Sequence, residues 1–429
     1  MPRCHRTTDA MNDGDTPDIE IELAAEAPAA PAQEPIAPQQ LDVDLEEDRY
    51  DRLRLIPWWD QDKLQRARVM VVGAGALGNE IIKNLAMLGV GRLVVIDFDH
   101  VENSNLSRSV LFRESDEGRS KAQVAARGAR ELNPDVRVQP LTGNIVYDVG
   151  LGVFREMDVV IGGLDNREAR LAINQNCWRV NRPWIDGAIE VLHGVARVFC
   201  PPDGACYECT MSQMDYKLLN MRRSCALLTK DEMLKGRVPT TPTVASVIGG
   251  IQVQEAVKLI HNRPDMPVLA GKGFMYNGVT HDSYVVEYER REDCYSHETF
   301  EEVIELDRGV ADSQVGEILD IVRAQVTPTA VLEFEREIVY ELHCEHCHTR
   351  QPIFRALGKV TVEEGRCPDC GQMRLPEMTH SVDAQPEFMD MTLEELGVPA
   401  YDIVRGRQGL TMKHFLLAKD RRRALGAVA

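Results

Sequence analysis

The chain has 429 residues, 44% hydrophobic and 27% charged, with 68 Asp and Glu against 49 Lys and Arg for a net charge of −19. That length predicts one large domain and a smaller one, and the acidic balance argues against a nucleic-acid partner, whose affinity rests on cations that displace counter-ions. No apolar run reaches transmembrane length and no apolar signal segment follows Met1, so a cytoplasmic protein without membrane contact is expected.

Residues 1–48 hold thirteen Asp and Glu against two Arg, within a run rich in Ala and Pro. Too few bulky apolar side chains are present to offset ordering entropy, so 1–47 is expected to be a disordered tail. From Val69 the pattern alternates as in a Rossmann-like, doubly wound α/β sheet. "VMVV" predicts a strand, and "GNEIIKNLAMLG" a helix with Ile81, Ile82, Leu85 and Leu88 on one face, stopped by Gly89. "RLVVIDFD", "RVQPLTG" and "MDVVIGGLDN" predict further strands, with helices at "KAQVAARGARELN" and "EARLAINQNCWRV". "PWIDGAIEVLHGVARVFCPP" reads as two strands around a turn, and "TPTVASVIGGIQVQEAVKLI" as a long helix whose Gly249–Gly250 pair allows close packing. After about Pro328 the character changes to strands and cysteine knuckles, which predicts a small module over 328–429 after a domain over 48–327. Within it, "MTLEELGVPAYDIVRGRQG" reads as a short helix and then a strand.

Gly73, Gly75 and Gly78 in "GAGALG" follow a strand and open a helix, where free N–H groups and the helix dipole favour an anion. Asp97 ends the next strand, where an acid accepts hydrogen bonds from ribose hydroxyls. These residues alone fit an NAD enzyme equally well. "DFDHVENSNLSRS" adds Asp99, Asn105 and Arg108 beyond that strand, "GRSKA" adds Lys121 at a helix start, and "GGLDN" adds Asp165 and Asn166 after a later strand. Two cations with extra carboxylates suit a triphosphate with Mg²⁺.

The order "RYDR", "GAGALG", "DFDHVENSNLSR", "GRSKA", "NPD" and "GGLDN" resembles the ThiF/MoeB and ubiquitin-activating enzyme family, in a prokaryotic-type member, over roughly Asp48 to Glu289. The resemblance implies that ATP is consumed to adenylate the C-terminal glycine of a ubiquitin-fold protein. It implies that Asp97 holds the ribose, that Asn105, Arg108 and Lys121 hold the phosphates, that Asp165 serves Mg²⁺, that Asp99 and Asn166 line the ATP site, and that Arg52 reaches ATP across a homodimer interface. One departure is visible: Ser109 stands where the family commonly has Gln, which removes the reach for one phosphate contact.

Most of the eleven cysteines fall in C-x-x-C spacing, which without a secretory signal means bound metal or reactive thiols. Cys206 and Cys209 form a pair that suits a metal knuckle or a redox site. Cys344, Cys347, Cys367 and Cys370 form two pairs separated by nineteen residues, a zinc-ribbon pattern, with His343, His346 and His348 as competing ligands. Cys177 and Cys200 read as small core residues, and Cys4 lies in the tail. The resemblance closes the first site with Cys294 and His297 from "DCYSH", giving two structural Zn²⁺ sites. It also places an acyl-accepting cysteine in the crossover segment, where Cys225 stands near Arg222 and Arg223, cations that favour thiolate.

The expected function is therefore ATP-dependent activation of a ubiquitin-like protein, with thioester transfer to Cys225 and then to a ubiquitin-conjugating-type acceptor. The alternatives are adenylation of a sulfur-carrier protein for thiocarboxylate formation without a thioester, a catalytically silent scaffold, and an NAD oxidoreductase.

Overall fold

The computed structural model describes residues 48–217 and 239–429. Its larger sheet has eight strands in the order β3-β2-β1-β4-β5-β6-β7-β8. Strands β1 (Arg68–Val72), β2 (Arg92–Ile96), β3 (Arg137–Leu141), β4 (Val159–Gly163) and β5 (Trp184–Glu190) are parallel. Strands β6 (His193–Phe199), β7 (Lys272–Asn277) and β8 (Asp282–Glu287) continue it antiparallel. The central parallel strands β1, β2 and β4 are buried apolar runs rather than alternating ones, because helices cover both faces. The antiparallel extension has no such apolar run in β8, all but one of whose residues are exposed.

Two short helices, α1 (Asp51–Arg54) and α2 (Gln61–Arg66), lead into β1. They are followed by α3 (Ala76–Met87), α4 (Lys121–Leu132), α5 (Leu151–Arg155), α6 (Arg167–Arg179) and α7 (Pro242–His261). The α3 and α7 side buries Ile81, Ile82, Leu85, Ile248 and Val253 against Val69 and Val71. The other side buries Trp178, Trp184 and Phe154 against Met70 and Val160. The period-2 alternation of the strands sends Val69 and Met70 to opposite cores.

A second sheet runs β11-β10-β13-β14-β9, with β12 also paired to β10. Its members are β9 (Val303–Leu306), β10 (Val331–His343), β11 (Arg350–Ala356), β12 (Leu375–Val382), β13 (Ile403–Gln408) and β14 (Thr411–Leu417). Helix α8 (Val315–Gln325) packs Ile318, Leu319 and Val322 onto Leu332 and Phe415. Strand β9, drawn from upstream of residue 328, pairs parallel with β14. The segment expected to be a short helix at "MTLEELG" is instead a turn: the Thr392 amide donates to Glu395 at 2.8 Å, and the Glu395 amide to the Thr392 hydroxyl at 3.2 Å. Gly397, at φ +83°, ends it before a full helical repeat can form. The strand expected after it is β13.

The last helix, α9 (Arg421–Leu425), returns the chain to the first sheet. Arg421 forks onto both oxygens of Glu156 at 2.9 and 3.0 Å, Arg68 reaches the same carboxylate at 3.0 Å, and the Tyr401 hydroxyl donates to it at 2.9 Å. These contacts, Arg421 first, hold the Glu156 carboxyl below the usual range.

The two neighbouring glycines of α7 differ. A Cβ at Gly249 would lie 2.9 Å from the Glu80 Cβ on α3, whereas one at Gly250 meets nothing within 4 Å. Close packing is therefore the work of Gly249 alone. Gly249→Val should lower stability by roughly 1–3 kcal/mol, and Gly250→Ala should raise it by roughly 0.5–1 kcal/mol, both read by urea denaturation.

Candidate functional site: a glycine-lined crevice and two cysteine clusters

Strand order reverses between β1 and β4, and the crevice beyond their carboxyl ends is where open α/β sheets take ligands. Gly73 bends the chain there with φ +90°, and a Cβ on it would lie 2.5 Å from the Gly163 carbonyl oxygen. A Cβ on Gly78 would lie 1.9 Å from the Gly73 carbonyl, so α3 sits directly on the turn. Gly75 is different: nothing lies within 4 Å of where its Cβ would be. An open position at a helix N-terminus can take an anion.

Asp97 accepts from the Ala74 amide at 2.7 Å on one oxygen and from the Asp99 amide at 2.7 Å on the other. Burial pushes its carboxyl above the usual range, against those two hydrogen bonds and the Lys121 charge. Each oxygen keeps a lone pair, so the group can still accept a sugar hydroxyl. Lys121 enters α4 with its Nζ 2.8 Å from Asp99 Oδ2, and its amide bonds to the Asp99 carbonyl. Asn105 closes a 3₁₀ turn by accepting from the Glu102 amide at 3.0 Å, and Arg108 donates to the Ser104 carbonyl at 2.7 Å. Asp165 is exposed just past β4, and Asn166 caps α6 by accepting from the Ala169 amide at 2.8 Å. Ser109 is buried, and its Oγ has no hydrogen-bond partner among the described residues.

Arg52 does not join this group. Two residues before it, Tyr50 accepts from the Asn133 side chain at 2.7 Å, and its ring fills the space beside Gly89. Asn133 and Gly89 follow the C-termini of α4 and α3, one helix length (about 18 Å for twelve residues) from the glycine turn. Cys225, Arg222 and Arg223 lie outside the described residues.

Two features of the site carry little signal in the sequence. Asn79, fully buried in α3, donates to the Ala74 and Gly75 carbonyls at 2.6 and 3.0 Å and accepts from the Leu111 amide at 2.8 Å. It ties the glycine turn to the segment that carries Asn105 and Arg108. Its only signal was a polar residue beside the apolar face of α3. The second is Asp186, buried, with one oxygen 2.9 Å from Arg170 Nε and the other 2.9 Å from Arg197 Nε. Arg170 continues to the Leu164 and Gly187 carbonyls at 2.5 and 3.1 Å, backing the residue before Asp165. These partners lie 16 and 11 residues apart, a separation with no local pattern.

Cys206, Cys209, Cys294 and His297 bring their donor atoms within 4.8 Å of one another, as do Cys344, Cys347, Cys367 and Cys370. In the first cluster Cys206 Sγ is 3.6 Å from Cys209 and 3.5 Å from Cys294, and Cys209 Sγ is 3.3 Å from His297 Nε2. A tetrahedral zinc with bonds of about 2.3 Å to sulfur sets its sulfurs about 3.8 Å apart, so both clusters suit that ion. His297 is held by stacking on Trp178, 5.0 Å between ring centres. Arg197 lies 5.1 Å over the ring of Tyr207, between the first two cysteines, and so links this cluster to Asp186. In the ribbon, His348 and Gly371 take positive φ after each cysteine pair, and their amides donate back to the Cys344 and Cys367 carbonyls. The backbone N–H of Cys370 pulls the Cys367 thiol down to about 6, toward the thiolate a metal binds. Burial pushes the Cys177 thiol well up, and Cys200 to about 11, as suits inert packing residues.

An open glycine turn at the strand switch point, with Asp97 and Lys121 beside it, and two metal-type cysteine clusters define an α/β protein shaped to take a ligand at that crevice. The chain belongs to the ThiF family, whose model matches residues 48–296. It is 35% identical to the SAMP-activating enzyme E1 of Haloferax volcanii, over 54% of this chain and 81% of that one. It is 38% identical to a sulfur carrier protein adenylyltransferase of Thermus thermophilus, over 38% of this chain and 63% of that one. It is 39% identical to human ubiquitin-like modifier-activating enzyme 7, over 39% of this chain and 17% of that one. The chain thus spans less than two thirds of the length of the last two.

Purified protein should carry zinc at each of the two clusters, and His297→Ala should lose the first ion while Cys367→Ser loses the second, as counted by plasma mass spectrometry. Asp186→Asn should cost roughly 3–5 kcal/mol in denaturant titration, because it strips the buried Arg170 and the half-buried Arg197 of their counter-charge.

Proposed function

We propose that the chain is an ATP-dependent adenylyltransferase that activates the C-terminal glycine of a ubiquitin-fold protein. The observation that carries this reading is the open cradle at Gly75, flanked by Asp97 and by Lys121, at the strand switch point. A substrate carboxylate is a poor acyl donor. Attack of its oxygen on the α-phosphorus forms an acyl–phosphate anhydride, breaks the bond to the β-phosphate oxygen and releases pyrophosphate. Such a step needs alignment and charge neutralisation rather than a general base. Lys121 and Arg108 supply positive charge, Asp97 fixes the ribose, and Asp165, exposed at the end of β4, is the carboxylate that would hold Mg²⁺, which adds charge to the phosphates. The names of the similar proteins support this class of substrate.

In our reading Cys225 then receives the acyl group: its thiolate attacks the anhydride carbonyl, forms a thioester and expels AMP. The names borne by the Thermus relative and by the 34% identical maize adenylyltransferase and sulfurtransferase MOCS3-1 favour a second reading, in which the adenylate is passed to a sulfur donor instead. In our reading Arg52, set near the far end of α3, serves the nucleotide of a second copy in a homodimer.

Pyrophosphate exchange into ATP, with a panel of ubiquitin-fold proteins ending in glycine, tests the adenylation. Lys121→Ala and Asp165→Ala should each slow it by about a hundredfold or more. An equal mixture of the Arg52→Ala and Lys121→Ala proteins should recover part of the activity by exchange of subunits. Non-reducing mass spectrometry should show an ATP-dependent, thiol-labile adduct that Cys225→Ala lacks; adenylate in both proteins with no adduct in either supports the sulfur-carrier reading.

A further inference from the structure

The short turn after β11, Leu357–Lys359, lies against the loop that follows β3. No side chain fits at Gly358: a Cβ there would lie 2.0 Å from a ring carbon of Tyr147. Next to it, Lys359 Nζ is 2.8 Å from Asp148 Oδ1. From β10, Arg336 donates to the Tyr147 carbonyl at 3.2 Å and pairs with Asp402 at 2.8 Å. On its other side Tyr147 donates its hydroxyl to Glu168 Oε1 at 3.1 Å. Glu168 stands in the first turn of α6, two residues after Asn166 and three after Asp165. The same loop begins at Gly143, whose amide donates to the Asp97 carbonyl at 3.4 Å. Residues 143–148 therefore run from the sugar-binding acid to the helix start beside Asp165, and the ribbon backs them from outside.

The ribbon turn is built on the ribbon's own core. Leu357 packs with Val339, Leu342, Ile353 and Val360. That core holds too little apolar surface to order itself, as is usual for small metal-bound modules. β10 runs directly into Cys344, and Val360 precedes Cys367, so the four-cysteine cluster pins both ends of the core.

We propose that the ribbon supports one wall of the nucleotide crevice, with Tyr147 as a positioning residue held between Gly358 and Glu168. A metal in the four-cysteine cluster then tightens ATP binding by holding loop 143–148 in place. This inference rests on the reading of the crevice as an ATP site.

Calorimetric titration of the full chain with Mg²⁺–ATP tests it, with melting temperature recorded beside affinity. Gly358→Ala should weaken ATP binding roughly tenfold, and Cys367→Ser with Cys370→Ser by a similar factor. Tyr147→Ala should also weaken it, and adding Gly358→Ala to Tyr147→Ala should change nothing more, because the added methyl then has room. A purely structural role would lower the melting temperature and leave the affinity alone. Gly358→Ala with affinity within about twofold of wild type, or additive effects in the double variant, overturns the proposal. If Gly358→Ala fails to fold, Tyr147→Phe keeps the ring and removes the hydroxyl that donates to Glu168; unchanged ATP affinity there overturns it equally. Wild-type protein that binds no ATP would instead overturn the ATP reading, and this inference with it.

Discussion

No side chain fits between the first turn of α3 and the ends of β1 and β4. Gly73, Gly78 and Gly163 meet backbone to backbone, with each missing Cβ replaced by a neighbour's main-chain atom within 3 Å. That contact brings the positive end of α3 to the crevice and leaves the space at Gly75 open. Asn79 locks the arrangement from beneath, since its single buried carboxamide satisfies two carbonyls of the turn and one amide of the next loop. A buried amide with three partners is stable; with fewer it would be costly.

Around this centre the charges are arranged at two depths. Asp97, Asp99 and Lys121 form a shallower, partly exposed set at the strand ends, held by backbone amides as well as by one another. Asp186, Arg170 and Arg197 form a deeper set that no solvent reaches at the carboxylate. With two arginines to one carboxylate, the deeper set keeps one positive charge in excess, and Arg170 extends from it to the Leu164 carbonyl just past β4. It also joins the first cysteine cluster to the β4 end through Arg197 and Tyr207.

The second sheet is not an appendage at the end of the chain. Its first strand precedes its first helix and pairs with its last strand, and α9 then returns to Glu156 beside β1. Gly150 and Gly152 receive the Tyr401 carbonyl so closely that neither could carry a side chain. The ThiF match ends at residue 296, so this second sheet lies beyond the residues the family model covers, yet its ribbon packs Gly358 against Tyr147 in the loop whose Gly143 amide bonds to the Asp97 carbonyl.

The period-2 and period-3.6 patterns were readable in β1, α3, β4 and α7 because each element buries an apolar face whose spacing depends only on local geometry. The glycine turn, Asp97, Lys121 and the cysteine pairs were readable for the same reason: their partners lie at fixed short offsets or at the ends of patterned elements. "MTLEELG" misled because a helical pattern of one turn carries too little cooperative energy to outlast Gly397. Asn79, the Asp186 triplet and the contact of Gly358 with Tyr147 could be decided only by tertiary structure. Each joins residues from separate elements, and burial, which gives those contacts their strength, exists only once the elements have packed.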